Sequence, residues 1–142
     1  MSPRKGSRRR PRAVVDTSVL LAGVAGFRDV AHTASASLLK RWISDNSFVW
    51  LISEEILDEY KEVLSRHKVR RELIGRIINL LREEATLVAV KRTEAVSPDP
   101  EDDPICACAK EGAADFIVTL NRRDFPQEKL RARVIAPGDP LP

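Results

Sequence analysis

The chain has 142 residues, of which 43% are hydrophobic and 32% charged. That length supplies the core of one domain and leaves no room for a second. The net charge of +3 is uneven, because residues 1–12 contain six Lys or Arg and no acid, whereas the rest contains 18 basic and 21 acidic residues. Without a membrane-length apolar run or a secretory signal, we expect a cytoplasmic protein that does not enter a membrane.

The first residues are predicted to form a disordered basic arm. Residues 1–11 are polar and interrupted by proline, so they bury too little apolar surface to fold alone. Their charge favours contact with nucleic-acid phosphates, and the alternative is a leader that only increases solubility. Both interpretations stay open.

Asp16 ends the first predicted strand. Residues 12–16, RAVVD, begin a buried strand that leads into a helix from Val19. Open α/β sheets bind ligands at the carboxyl ends of their strands. Asp16 is therefore the first candidate ligand, and the alternative is that it only caps the helix, since Asp is a good N-cap.

Three further elements separate this strand from the next informative acid. Residues 23–29 predict a loop, and residues 34–43 predict an amphipathic helix. Three apolar residues lie on one side of that helix: Ala36, Leu39 and Ile43. Residues 48–52, FVWLI, are too few for a helix and typical of a strand buried on both faces of a parallel sheet.

Glu59 belongs to a helix that Ser53 is expected to cap, over residues 54–65. The predicted core stripe of this helix is Ile56, Tyr60, Val63 and Leu64. Glu59 lies closest to that stripe among the acids of the helix, and carboxylates seldom face a core without a cation. The alternative is a surface pair with Lys61 or Arg66.

The middle and the end of the chain continue the alternation of helix and strand. Residues 68–84 predict a helix with solvated charges, residues 86–90 a third strand, and residues 134–136 a last edge strand before a Pro-rich tail at 137–142. This order implies right-handed crossovers and a mostly parallel sheet.

Residues 99–125 concentrate acids around a predicted helix at 104–112 and a strand at 116–119. The seven acids are Asp99, Glu101, Asp102, Asp103, Glu111, Asp115 and Asp124. Asp99 would be an N-cap if the helix began at Pro100, but Pro104 would then clash with the preceding turn. A start at Asp102 or Asp103 leaves one acid for capping and one for a cation.

The two cysteines are predicted to be packing residues. Cys106 and Cys108 are two positions apart on the predicted helix and point in different directions, so they neither bridge nor share a metal ion. We expect both to be buried and reduced.

Three segments together resemble a known family. VVDTSVLLAG, SEEILDEYKEVL and DPEDDPICACAKEGAADFIVTLNRRDFP are similar in order and spacing to the PIN domain (PilT N-terminus), in the branch of bacterial toxin-antitoxin ribonucleases related to the VapC toxins. The likeness covers residues 12–136. It implies an α/β, Rossmann-like three-layer domain with a central, mostly parallel sheet. It also implies an RNA phosphodiesterase that uses Mg²⁺ or Mn²⁺, frequent homodimers, and inhibition by a small cognate antitoxin.

The resemblance also implies a set of site residues. By position, the family's catalytic and metal-binding acids fall on Asp16, Glu59 and Asp102. At the fourth acidic position Asn121 stands where many members carry Asp, and Asp124 is the nearby carboxylate that completes the predicted metal set. The supporting residues are Ser18, Asp99, Asp103, Thr119 and Asn121, with Ser18 and Thr119 orienting water or a carboxylate.

The predicted chemistry is consistent with these residue types. Converging carboxylates repel one another unless a divalent cation neutralises them, and Mg²⁺ prefers oxygen ligands. The cation would activate a water for in-line attack on RNA. Arg122 and Arg123 are predicted to hold flanking phosphates, and the alternative is that both are merely solvated.

Other classes fit the pattern less well. A haloacid-dehalogenase domain needs a second Asp where Ser18 stands, and a receiver domain needs a Lys after a late strand, where Asn121 follows Thr119. A non-catalytic RNA- or protein-binding module on the same scaffold is opposed only by the acids that the chain retains. His32 and His67 lie outside the acidic segments, so neither is a candidate general base.

Overall fold

A computed structural model describes residues 10–29, 33–91 and 103–140. The strands are β1 Arg12–Val15, β2 Val49–Ile52, β3 Thr86–Leu87, β4 Phe116–Val118 and β5 Arg133–Ile135. The helices are α1 Thr17–Asp29, α2 Ala34–Asp45, α3 Glu54–Arg66, α4 Arg71–Glu84 and α5 Asp103–Glu111, with 3₁₀ turns at Arg122–Asp124 and Gln127–Lys129. In this part of the chain no helix is both long and apolar enough to cross a bilayer.

The five strands form one parallel sheet in the order β3-β2-β1-β4-β5. Val14 in the central strand pairs with Leu51 on one side and with Ile117 on the other, and all three are fully buried. Continuous apolar strands are what a parallel sheet covered on both faces requires. The predicted α/β, Rossmann-like three-layer fold with a parallel sheet is confirmed.

The parallel arrangement brings several chain segments to one edge of the sheet. β1 ends at Val15 and is followed by Asp16, β2 leads directly into α3, and β4 is followed by Thr119. Because α5 precedes β4 and runs back across the sheet, its first residue, Asp103, also lies toward this carboxyl edge. Ligands bind at this edge in open α/β sheets.

The first helix corrects the predicted loop at residues 23–29. α1 is continuous from Thr17 to Asp29. Gly23 is buried where α1 crosses α2, and a Cβ at this position would overlap Leu39 Cδ1 and lie 2.9 Å from Leu39 Cγ and 3.2 Å from the Ser35 carbonyl. The glycine therefore permits close helix packing and does not break the helix.

The inward face of α2 also differs from the prediction. Leu38, Leu39 and Trp42 are buried, but Ile43 is 54% exposed. Asn46, in the left-handed conformation with φ 53°, ends the helix and donates its backbone N–H to the Trp42 carbonyl. The prediction was wrong for Ile43 because the contact with α1 decides which face of α2 is buried. That face contains Trp42 instead of the next residue, Ile43.

Two other elements, α4 and β3, are shorter than predicted, and two further predictions are confirmed. α4 begins at Arg71, not at residue 68, because Lys68 is left-handed with φ 63°. β3 covers Thr86–Leu87 and not residues 86–90. Ser53 Oγ accepts the Ile56 N–H at 3.2 Å as the expected cap. The two cysteines, Cys106 and Cys108, are reduced and buried.

The predicted basic arm lies mostly outside the described residues. The described end of the arm already contacts the domain, because the Pro11 carbonyl accepts the Val49 N–H at 2.8 Å and Arg10 donates to the Asn46 carbonyl at 3.2 Å. Arg10 and Pro11, which precede the predicted boundary at Arg12, therefore contact the domain.

Gly23→Ala and Gly75→Ala should change stability in opposite directions. Alanine at 23 must displace Leu39 and approach backbone, which we expect to lower the free energy of unfolding by roughly 1–3 kcal/mol. Gly75 is exposed in α4, and a Cβ added there would meet no atom within 4 Å. Alanine at 75 should therefore raise the free energy of unfolding by about 0.5–1 kcal/mol. Urea denaturation of both variants measures the two changes, and equal effects would contradict the close crossing of α1 and α2.

Candidate functional site

Asp16 is a buried carboxylate, 4% exposed, immediately after the central strand. Its backbone carbonyl accepts the Val19 N–H at 3.0 Å, which starts α1. Its side chain has other partners, because Oδ2 accepts hydrogen bonds from Ser18 Oγ at 2.7 Å and from Thr119 Oγ1 at 2.8 Å. The backbone of Asp16 thus occupies the N-cap position of α1, while its carboxylate is bound by two hydroxyls.

The two hydroxyls also hold the loop after β4. Ser18 Oγ accepts the Leu120 N–H at 3.3 Å, and Thr119 Oγ1 accepts the Asn121 N–H at 3.0 Å. A hydroxyl has a single proton, so donation to Asp16 leaves only its lone pairs for these backbone amides. We call Asp16, Ser18 and Thr119 the hydroxyl bridge, which joins the start of α1 to the loop after β4.

Glu59 reaches the same end of β1 from α3. Its Oε2 accepts a hydrogen bond from Thr17 Oγ1 at 3.1 Å, and Thr17 directly follows Asp16. The two cations considered as surface partners of Glu59 pair with other acids: Lys61 with Asp58 at 3.5 Å and Arg66 with Glu62 at 3.0 Å. The structure therefore places the half-buried Glu59 beside the end of β1.

Tyr60 fixes the strand end next to these carboxylates. Its hydroxyl donates to the Val15 carbonyl and accepts from Trp50 Nε1 at 3.3 Å. Burial raises the pKa of Tyr60 well above its usual value, the Trp50 hydrogen bond opposes this, and the negative charges of Asp16 and Glu59 add to the increase. The neutral phenol therefore links β1, β2 and α3 one residue before Asp16.

α5 contributes a third carboxylate toward this edge. Its first described residue, Asp103, is helical and only 7% exposed. The predicted ligand Asp102 and the supporting Asp99 lie outside the described residues. Cys108, in the same helix, has its pKa raised to about 12 by burial, so it stays a thiol and is no nucleophile.

The loop after β4 lines a surface cavity of about 510 Å³. The residues around it are Thr119, Leu120, Asn121, Arg122, Arg123, Asp124 and Ala136. Asn121 and both arginines are exposed, and Asp124 is half-buried in the 3₁₀ turn. Because Thr119 belongs to both features, the cavity adjoins the hydroxyl bridge.

The described carboxylates fit a hard cation in chemistry but do not complete a site. Asp16, Glu59 and Asp103 offer only oxygen ligands, which suit Mg²⁺ or Mn²⁺ better than a soft metal. Within residues 10–29, 33–91 and 103–140, no group of three or more His, Cys, Asp or Glu side chains is arranged to hold a metal ion.

Sequence reasoning named the acids but missed two residues that organise them. Thr17 and Tyr60 contact Glu59 and the end of β1 respectively. The run Asp16-Thr17-Ser18 was a usable signal, since three polar residues directly after a buried strand all need partners at the sheet edge. Tyr60 was assigned only to the core.

Comparison with protein-family models matches residues 12–123 to the PIN domain. A search of curated proteins gives no significant match. The matched residues include the hydroxyl bridge, Glu59 and most of the cavity lining.

Tyr60→Phe should make the protein less stable near neutral pH, by roughly 1–2 kcal/mol, because Trp50 Nε1 and the Val15 carbonyl lose a buried partner. The folded-state pKa of Tyr60 is raised from 10.0, so its stabilising contribution is present below pH 10 and is lost as the pH rises above that value. The difference between wild type and variant should therefore shrink above pH 10. Chemical denaturation across pH 7–11 measures it, and a constant difference would contradict the buried phenol.

Proposed function

The chain belongs to the PIN domain family, and we propose that it is an endoribonuclease that hydrolyses RNA phosphodiester bonds with Mg²⁺ or Mn²⁺. PIN domains are typically nucleases and generally use divalent metal ions. The observation that supports this proposal is the buried Asp16 carboxylate at the carboxyl edge, held by two neutral hydroxyls with Glu59 beside it.

The proposed metal set is Asp16, Glu59 and Asp102, with Asp124 as the fourth carboxylate. Oxygen-only ligands of this kind suit a cation that also keeps waters and binds a substrate phosphate. Asp103 follows the predicted ligand Asp102 in the sequence and is buried. It is the alternative metal ligand from α5. A bound cation would activate the attacking water and stabilise the departing oxygen.

The chain's own groups would act by position and charge. The hydroxyl bridge fixes the orientation of the Asp16 carboxylate, and Thr17 does the same for Glu59. A fixed carboxylate needs no rearrangement during the reaction, which is the basis of electrostatic preorganisation. Arg122 and Arg123, exposed next to this site, would bind flanking phosphates and hold the RNA in register.

We also propose that the protein is the toxin of a toxin-antitoxin pair. The support is the resemblance of its acidic segments to VapC-like ribonucleases. A cytoplasmic location, inhibition by a small cognate antitoxin and homodimer formation belong to the same proposal. Co-expression with the product of a neighbouring small reading frame tests it, since an antitoxin should relieve growth arrest caused by the wild-type chain.

Asp16→Asn should abolish cleavage while the fold persists. Asparagine keeps an acceptor oxygen for Ser18 and Thr119 but removes the charge that binds a cation. Without metal the variant should be as stable as wild type or more stable, because one repelling carboxylate is gone. RNA cleavage in Mg²⁺ or Mn²⁺ and melting in EDTA measure the two effects.

The same pair of proteins provides a readout of metal binding without catalysis. Added Mg²⁺ should raise the melting temperature of wild type, because ligand binding stabilises the folded state, and should raise that of Asp16→Asn less. A variant that melts earlier in EDTA and still cleaves RNA would show that Asp16 is only a structural cap.

Glu59→Gln should lose at least about 100-fold in turnover, whereas Asp58→Asn should retain wild-type activity. The two acids are adjacent on α3, but Glu59 accepts from Thr17 at the end of β1 and Asp58 is an exposed partner of Lys61. Glutamine keeps the oxygen that accepts from Thr17, so the comparison isolates charge. Equal activity of both variants would remove Glu59 from the site.

A further inference from the structure

Leu120 is a large apolar side chain held in solvent beside the proposed active site. It is 50% exposed, although the residue before it, Thr119, is fully buried. Single exposed leucines are common and need no functional explanation. Leu120 differs in its position, because it lines the 510 Å³ cavity that shares Thr119 with the hydroxyl bridge.

The backbone of Leu120 is fixed relative to Asp16. Its N–H donates to Ser18 Oγ at 3.3 Å, and that hydroxyl donates to Asp16 Oδ2 at 2.7 Å. The next amide, Asn121 N–H, is held in the same way by Thr119 Oγ1. The apolar side chain is therefore presented at a set distance from the carboxylate, through backbone anchoring and without burial of the side chain.

The cavity combines an apolar wall with cationic groups. Arg122 and Arg123 are exposed and line it together with Leu120. A nucleotide presents an apolar base face and an anionic phosphate, which these two kinds of wall match. The volume lies within the range of about 300–1,000 Å³ that small-ligand sites occupy.

We infer that this cavity binds one nucleotide of single-stranded RNA next to the scissile phosphate, with Leu120 against its base and Arg122 or Arg123 at its phosphate. The inference rests on the proposed function for the position of the scissile phosphate. An apolar contact to a base face is available to every base, so Leu120 supplies affinity for an unpaired base and selects against paired RNA.

The test is a cycle that removes either the side chain or the base. Leu120→Ala and wild type are titrated in EDTA, where no cleavage occurs, into a labelled short oligoadenylate and into versions that carry an abasic ribose at each position in turn. Fluorescence anisotropy gives the dissociation constants. The matched control is Leu87→Ala, which removes an equally exposed leucine, at 54%, from strand β3, three strand spacings or roughly 14 Å from β4.

Leu120→Ala should weaken binding of the intact oligonucleotide by roughly 3- to 10-fold, as expected for the loss of about half a leucine side chain of apolar contact. At one abasic position the same substitution should change the dissociation constant by less than about two-fold, as expected for a neutral surface change. Leu87→Ala should likewise change it by less than about two-fold, with intact and with abasic RNA. An equal loss of affinity for intact and abasic RNA, or no loss of affinity at all, would overturn the base contact. Leu120 would then be a candidate contact for a protein partner instead.

Cleavage of the same oligonucleotide in Mg²⁺ separates this inference from the proposed function. Coupling between Leu120 and a base without cleavage by wild type would support the nucleotide subsite and refute the nuclease. Cleavage without coupling would refute the subsite and leave the nuclease standing.

Discussion

The arrangement of the site depends on a single buried oxygen. Asp16 Oδ2 is removed from bulk water and must be satisfied by donors within the protein, and Ser18 and Thr119 provide them from two different elements. Each hydroxyl then accepts a backbone amide of the loop after β4. The path of that loop, and with it the cavity and its arginines, follows from how one carboxylate is hydrogen-bonded.

The parallel sheet makes this convergence available. With β1 in the centre, Asp16 emerges between β2, which leads into α3, and β4, which leads to Thr119. Tyr60 ties α3 to the last residue of β1, so Glu59 is carried to the strand end by the same contact that packs the helix. The core and the candidate site therefore share Tyr60, and the packing of the core fixes the position of Glu59.

The sequence predicted the positions of the strands more accurately than the ends of the helices. It also located the carboxylates at the sheet edge more accurately than the residues that hydrogen-bond to them. Apolar runs bounded by polar residues located β1, β2, β4 and β5, because parallel strands must be apolar on both faces. The helical course through Gly23 and the exposure of Ile43 depend on the crossing of α1 with α2, which no local pattern encodes. Asp16 and Glu59 were predicted from position, whereas the contacts of Thr17 with Glu59 and of Tyr60 with Val15 each join residues more than forty positions apart in sequence.

The neutrality of the donors on Asp16 has a chemical consequence. On the surface, Arg82 binds Glu54 with two hydrogen bonds and lowers its pKa, and the charges of that pair cancel. The described side-chain donors to Asp16 are hydroxyls, which satisfy its oxygen without bringing a positive charge to it. A carboxylate fixed by an arginine would be as well oriented but would attract a divalent cation far less. Orientation without neutralisation suits the cation-binding role that we propose for Asp16, and the hydroxyl bridge provides it with two small side chains.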